Sequence, residues 1–249
     1  MTTPATPHDL TVIERKNRQR FIESFDDEIS RLNGSLHILD ERLNLLEKDW
    51  LGKQSILFIS QNFSMLNNSF QLLSKGYELE SMMLIRPIAE RIILSLYFYE
   101  FPADLDLYRK QDGPRKFYAS LKNKGYKNYL EGVLDRIMAE GKSFTDTFKA
   151  EWAKELLSSL VDEPSKLLHA NESSALIASS KGRRLIRGSN FRISSSKIVL
   201  SKIRQSALWS VIVLFETQQI QMALWEDLAM RHEIKKLYGI DKIDELKYR

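Results

Sequence analysis

The chain contains no cysteine, and this absence excludes several classes of function at once. Disulfide frameworks, thiol nucleophiles and zinc sites built on thiolates all require cysteine, and a chain without it fits a reducing compartment. Only four histidines are present, and because they are scattered we expect no metal site and no cofactor. Glycine and proline are also few, at ten and six residues, which favours long helices over many short strands.

Long apolar runs are missing as well. The chain carries no charge from Ser55 to Ser74, but the asparagines, glutamines and serines in this stretch make it too polar for a membrane span. The first ten residues, MTTPATPHDL, lack a basic region followed by an apolar run, so we do not expect a secretory signal. These patterns predict a soluble, cytoplasmic protein with no membrane partner.

The first strong pattern is a stripe of apolar residues that recur in alternating steps of three and four. It consists of Ile22, Phe25, Ile29, Leu32, Leu36, Leu39, Leu43, Leu46 and Trp50. Such a heptad stripe predicts a long helix or a helical hairpin. Asn33-Gly34 inside the stripe marks a point for a break or a kink, because glycine in a helix costs roughly 1 kcal/mol relative to alanine. The stripe packs against the next helix of the same chain, or it binds a protein partner or a second copy of the chain.

Helical patterns along the rest of the chain predict an all-α fold, a multi-helix bundle that ends in a long C-terminal helix. We expect a disordered N-terminus (1–8) followed by a single helical domain (9–249). The expected parts of that domain are a heptad helix (9–52), a central core (53–177), a basic loop or short β-hairpin (178–196) and C-terminal helices (197–249).

The segment from Tyr77 to Phe101 is the most apolar helix-like stretch, and few charges lie in its middle. Arg86 and Glu90 stand four residues apart, so they share one face of a helix. Pro87 lies between them, removes one backbone donor and predicts a kink.

Two interpretations of these charges follow, because a buried charge must be paired. Arg86 and Glu90 form a structural ion pair, or they line a cleft together with Tyr97 and His169. A guanidinium, a carboxylate and an imidazole in one cleft could perform acid–base catalysis or bind an anion. The candidate catalytic residues are therefore Arg86, Glu90 and His169.

A basic segment precedes the C-terminal helix. Eight basic residues fall between Lys181 and Arg204, and no acidic residue lies between Glu172 and Glu216. Arginine and lysine next to the aromatic ring of Phe191 favour phosphate binding and base stacking. The candidate nucleic-acid-binding residues are Lys181, Arg183, Arg184, Arg187 and Arg192. A solvated loop or a protein-binding surface is the alternative.

Three short motifs resemble a poorly characterised prokaryotic family of all-helical proteins. They are Arg86-Pro-Ile-Ala-Glu90, the aromatic run Tyr97-Phe98-Tyr99, and His169 followed by small and polar residues up to Ser174. The resemblance covers roughly residues 55–175, and Pro87 departs from the pattern. That family is a domain of unknown function. Its similarity to abortive-infection and HEPN-like helical proteins implies a role in bacterial or phage-related defence or stress.

HEPN-type ribonucleases need no metal and use an Arg-x(4–6)-His motif, and Arg31 and His37 have this spacing. However, Leu32 stands where those enzymes usually place a polar residue, which favours a chance match. The leading hypothesis is a non-enzymatic interaction or regulatory protein. The alternatives are a HEPN-like ribonuclease and a nucleic-acid-binding accessory protein.

Overall fold

The computed structural model describes residues 7–46, 55–110, 112–123, 129–142, 150, 153–154, 156–162, 164, 180–181, 184–185 and 191–218. Within these ranges the fold is all-α, which confirms the predicted class. The helices are α1 (Pro7–Ser24), α2 (Asp26–Leu46), α3 (Ser55–Ser74), α4 (Glu78–Glu100), α5 (Pro102–Arg109), α6 (Gly113–Asn123), α7 (Tyr129–Glu140), a π-helical segment (Leu156–Asp162) and α8 (Ile193–Gln218). One antiparallel pair of two-residue strands, β1 (Ser180–Lys181) and β2 (Arg184–Leu185), precedes α8. No helix in these ranges has the length and apolarity that crossing a membrane requires.

The heptad stripe spans two helices, and their boundary differs from the predicted one. The helix α2 continues through Asn33-Gly34, and the chain is interrupted at Phe25 instead. Three acidic residues form the first turn of α2, where the helix dipole favours carboxylates. The prediction of disorder up to residue 8 was wrong for its last two residues, because α1 begins at Pro7. Proline suits a first helical turn, where its missing N–H costs no hydrogen bond.

Most of the heptad stripe is buried inside the chain. Phe25, Leu32, Leu36, Leu39 and Leu43 are between 0 and 8% exposed, and Trp50 lies outside the described residues. The helix α2 packs mainly against α8 and not against the next helix in the chain. The buried part of the stripe therefore packs within the chain, but its main partner differs from the predicted one, and Ile22 is 46% exposed.

The core of the bundle is formed by α3, α4 and α8, which all pack against one another. Ser69 and Ser81 are fully buried where α3 meets α4. Each hydroxyl donates to the backbone carbonyl of the other serine, at 3.0 and 2.8 Å. The helix α4 continues through Pro87, and the neighbouring Asn62 side chain donates to the carbonyl of Ile88 at 3.2 Å. The predicted kink therefore does not end α4.

Helices α5 to α7 lie at the C-terminal end of α4. Phe101 separates α4 from α5, and Pro102 occupies the first turn of α5. The turn before α6 contains Asp112 at a positive φ of 60°. A Cβ atom on Gly113 would lie 2.0 Å from the carbonyl oxygen of Tyr108, so only glycine fits this close approach.

The helix α8 begins earlier than the sequence predicts. Its first residue is Ile193, so the last four residues of the expected basic loop (178–196) are helical. The carboxylate of Glu78 accepts hydrogen bonds from the Arg192 N–H at 3.0 Å and from the hydroxyls of Ser195 and Ser196 at 2.5 and 2.6 Å. A carboxylate stabilises the positive end of a helix, which explains this starting point. The expected long C-terminal helix is described as far as Gln218.

Candidate functional site

Arg86 and Glu90 form an ion pair on the surface of α4. The Nε of Arg86 donates to the Oε1 of Glu90 at 2.9 Å, and the side chains are 28% and 23% exposed. The i, i+4 spacing brings the two groups together without any other element, and such a pair contributes roughly 0.2–0.5 kcal/mol. The two charges are therefore paired as their spacing predicts.

Arg91 is the remaining charged residue in the middle of α4, and it is bound by α3. Its Nε donates to the Oε1 of Gln61 at 3.0 Å, and its Nη1 donates to the carbonyl of Pro87 at 3.4 Å. The charged groups in the middle of this apolar helix thus all have partners within the chain.

Tyr97 belongs to a separate polar centre, away from Arg86 and Glu90. Seven residues separate it from Glu90, which is about 10 Å along a helix, and it is fully buried. Its hydroxyl donates to the Oδ2 of Asp104 at 2.5 Å. The Nη1 of Arg136 donates to the Tyr97 hydroxyl at 2.7 Å and to the Asp104 Oδ2 at 2.5 Å. We call Tyr97, Asp104 and Arg136 the Tyr97 centre; it joins α4, α5 and α7.

The surroundings of the Tyr97 centre keep the Tyr97 hydroxyl neutral and the Arg136 guanidinium charged. Burial, followed by the hydrogen bond to Asp104, raises the pKa of Tyr97 well above its ordinary value. Burial opposes the charge on Arg136, but Tyr97, Glu140 and Asp104 outweigh it and raise the pKa of the guanidinium. The same guanidinium lies 4.1 Å from the ring centroid of Phe101, close enough for a cation–π contact. The Tyr97 hydroxyl is therefore neutral near neutral pH, and its hydrogen bonds connect α4 to α5 and α7.

The predicted catalytic residues are only partly brought together. Arg86 and Glu90 are adjacent, whereas His169 lies outside the described residues. The alternative interpretation placed Tyr97 in one cleft with these residues, but its hydroxyl is turned to α5 and α7.

Three of the five predicted nucleic-acid-binding residues lie in the described part of the chain. Lys181 and Arg184 stand directly opposite each other in the strand pair. Arg192 lies immediately before α8, where its backbone N–H is bound by Glu78. Arg183 and Arg187 lie outside the described residues.

The Arg31–His37 spacing does not form a compact pair. Both residues are on α2, where six positions place them on different faces. The Nε2 of His37 is 3.5 Å from the Oε1 of Glu41, and the histidine side chain is 70% exposed.

Sequence reasoning missed Glu78, Asp104 and Arg136. Glu78 binds groups more than a hundred positions away, and no local spacing signals such a contact. Arg136 had one local signal, the i, i+4 spacing to Glu140, with which it pairs at 3.3 Å. Asp104 had another, since it follows Pro102 in the first turn of a predictable helix.

Among the described residues, no three histidine, aspartate or glutamate side chains are grouped so as to hold a metal ion. No protein-family model matches the chain, and neither a curated protein nor a solved structure does.

Proposed function

We propose that this chain is a non-enzymatic helical interaction or regulatory protein in which Arg86 and Glu90 are structural. The observation that supports this proposal is their ion pair, in which both partners lie on the same helix. Acid–base catalysis needs a set of groups that converge on one reacting atom. The tyrosine that would complete such a set is buried in a different centre, where its hydroxyl is held by Asp104 and Arg136.

The same proposal includes a biological role and a cellular compartment. The resemblance to an uncharacterised prokaryotic helical family suggests bacterial or phage-related defence or stress, and the lack of cysteine suggests the cytoplasm. Partner binding would use an exposed surface, because most of the heptad stripe is buried within the chain.

A charge swap tests the structural role of the pair. Arg86→Glu or Glu90→Arg alone creates like charges on one face, and we expect a loss of roughly 0.5–1 kcal/mol in the free energy of unfolding. The double variant recreates the pair with glutamate on the N-terminal side, which is the better orientation. We therefore expect it to be at least as stable as the wild type in urea unfolding.

The same variants distinguish this proposal from an enzyme. Wild type and double variant are incubated with labelled RNA and DNA, alongside His169→Ala and His37→Ala. We expect no cleavage from any of them. Cleavage by the wild type that disappears in the folded double variant or in His169→Ala would support the ribonuclease alternative and overturn the proposal.

A nucleic-acid-binding accessory role is the second candidate, and the strand pair favours it. Its register places Lys181 directly opposite Arg184, and like charges at opposed positions destabilise a strand pair. A phosphate backbone would relieve that repulsion. Changing Arg183, Arg184 and Arg187 to alanine tests this candidate, since salt-sensitive binding should then weaken; equal binding by the variant would contradict it.

A further inference from the structure

The outward face of α1 carries a dense group of positive charges. Arg15, Lys16, Arg18 and Arg20 are all exposed, and we call them the α1 cationic face. None of the four forms an ion pair with another residue in the part of the chain that the structure describes. From Arg15 to Arg20 the helix rises only about 7.5 Å, so four cations share a short length of surface.

The opposite face of α1 holds the helix on the bundle and turns Glu14 inward, whereas Glu23 in the last turn of α1 is exposed. Glu14 is the only acidic residue between positions 10 and 22. Its carboxylate accepts a hydrogen bond from the Tyr77 hydroxyl at 2.7 Å and lies 3.5 Å from the Nζ of Lys75. Asn17, which is 7% exposed, donates to the carbonyl of Lys75 at 3.1 Å. The exposed charges from Arg15 to Arg20 are therefore all positive, and the helix that carries them is anchored.

A second positive region lies beside the end of α1. The rings of Phe21 and Phe191 are in contact, with centroids 6.1 Å apart, which brings the start of α8 to the last turn of α1. Lys197 is exposed on the first turns of α8. In the sequence, Arg184 precedes Phe191 by seven residues.

The carboxylates of Asp26, Asp27 and Glu28 begin α2 directly after this region. They limit the positive surface at the end of α1. An extended ligand would therefore follow α1 and the start of α8, away from the start of α2.

Closely spaced arginines and lysines match a ligand whose negative charges also repeat at short intervals. A nucleic-acid strand carries a phosphate every few ångströms, whereas an acidic protein surface mixes its carboxylates with neutral and basic groups. We infer that the α1 cationic face, together with the start of α8, binds the phosphate backbone of a nucleic acid. This inference rests on the nucleic-acid-binding candidate function and identifies a second contact surface beside the basic segment.

The test removes the four charges and keeps the helix. The variant Arg15→Gln, Lys16→Gln, Arg18→Gln and Arg20→Gln retains good helix formers at every position. The control changes Arg109, Lys110, Arg115 and Lys116 to glutamine, which alters the net charge equally. These control residues are exposed and follow the C-terminal end of α4, about 34 Å from the end that α1 contacts.

Binding is measured by fluorescence anisotropy with a labelled single strand of about 20 nucleotides, longer than typical single-stranded sites. We expect the α1 variant to lose at least tenfold in affinity at low salt. The slope of log affinity against log salt should fall by roughly 3, since each phosphate contact contributes about 0.7 on a single strand. The control should keep the wild-type slope.

Each remaining outcome has a definite meaning. An α1 variant with the wild-type slope overturns the inference and leaves the candidate function in place. A wild type that binds no nucleic acid at low salt overturns both, and if it then binds polyglutamate, the surface serves an acidic protein instead. Cleavage of the probe would contradict the non-enzymatic proposal. The slope of log affinity against log salt would still show whether the α1 cationic face binds the probe.

Discussion

The hydroxyl of Tyr97 and the carboxylate of Asp104 form a hydrogen bond of 2.5 Å that joins α4 to α5. Arg136 adds α7 to the same centre by donating to both groups. Three helices at the C-terminal end of α4 thus share one small set of polar atoms.

Replacing Tyr97 with phenylalanine removes the hydroxyl and keeps the ring. Asp104 and Arg136 would still pair, but each would lose one partner in a half-buried site. We therefore expect the free energy of unfolding to fall by about 1–2 kcal/mol, measured by urea denaturation. Tyr99→Phe is the matched control, because Tyr99 is half-buried on the same helix, and its effect should stay under about 0.5 kcal/mol. Equal effects of the two variants would argue against the Tyr97 centre.

Tyr77 should lose its proton at a higher pH than an ordinary tyrosine does. The hydrogen bond to Glu14, followed by burial, raises its pKa to about 12 from the ordinary 10.0. A raised pKa in the folded state stabilises the fold fully below pH 10.0, and this contribution is lost as the pH rises through about 12. Titration of tyrosinate absorbance in wild type and Tyr77→Phe isolates this residue.

The cause of the Tyr77 shift can be tested in the same titration. Glu14→Leu removes the acceptor, and with it the largest contribution, and should lower the pKa of Tyr77 markedly. Glu80→Gln removes the smallest of the contributions and should lower it much less. A Glu14→Leu protein with an unchanged Tyr77 titration would rule out the hydrogen bond as the cause.

Gly34 should tolerate alanine and gain stability from it. The residue is exposed within α2, and a Cβ atom there would meet no other atom within 4 Å. Alanine reduces the entropy lost on folding and is favoured in helices by roughly 1 kcal/mol. We expect Gly34→Ala to raise the Tm by about 2–4 °C. Gly113→Ala provides the contrast, since its Cβ would clash with Tyr108; a gain from both variants would contradict the packing described for them.

Glu78 should be needed for the start of α8. Glu78→Gln keeps the shape of the side chain but loses the charge and one acceptor oxygen. Since the carboxylate accepts three hydrogen bonds, we expect a loss of about 1–3 kcal/mol in the free energy of unfolding. Hydrogen exchange at Ser195 and Ser196 should accelerate. Glu80→Gln, on the exposed side of the same turn, is the control and should leave both measurements unchanged. A similar loss of unfolding free energy in Glu80→Gln would mean that net charge causes the effect.

Features that depend on local spacing were predictable from the sequence. The heptad stripe and the Arg86–Glu90 pair both follow from the periodicity of one helix. The predicted break at Gly34 failed because a glycine costs roughly 1 kcal/mol, whereas its neighbours Leu32 and Leu36 each gain about 1.5–3 kcal/mol by burial. Packing of the stripe therefore outweighed the glycine.

Features that join distant parts of the chain were not predictable. Asp104 and Arg136 meet Tyr97 only because Pro102 starts a new helix that folds back onto α4 and α7. Glu78 reaches α8 because α4 and α8 lie side by side in the bundle. The charge on α1 was visible in the sequence, but its concentration on an outward face became apparent only once Glu14 was seen to turn inward.

The packing of α8 against α2 also has a consequence for synthesis. About 150 residues separate Leu43 from Ile193, so the ribosome needs roughly 8–30 s to make the helix that covers the stripe. During that time the leucines of α2 lack the surface that buries them in the finished bundle. The nascent chain is then exposed to aggregation, and a chain stopped before residue 193 should be recovered as insoluble material or bound to chaperones. A soluble, helical product of that length would show that α3 and α4 can cover the stripe alone.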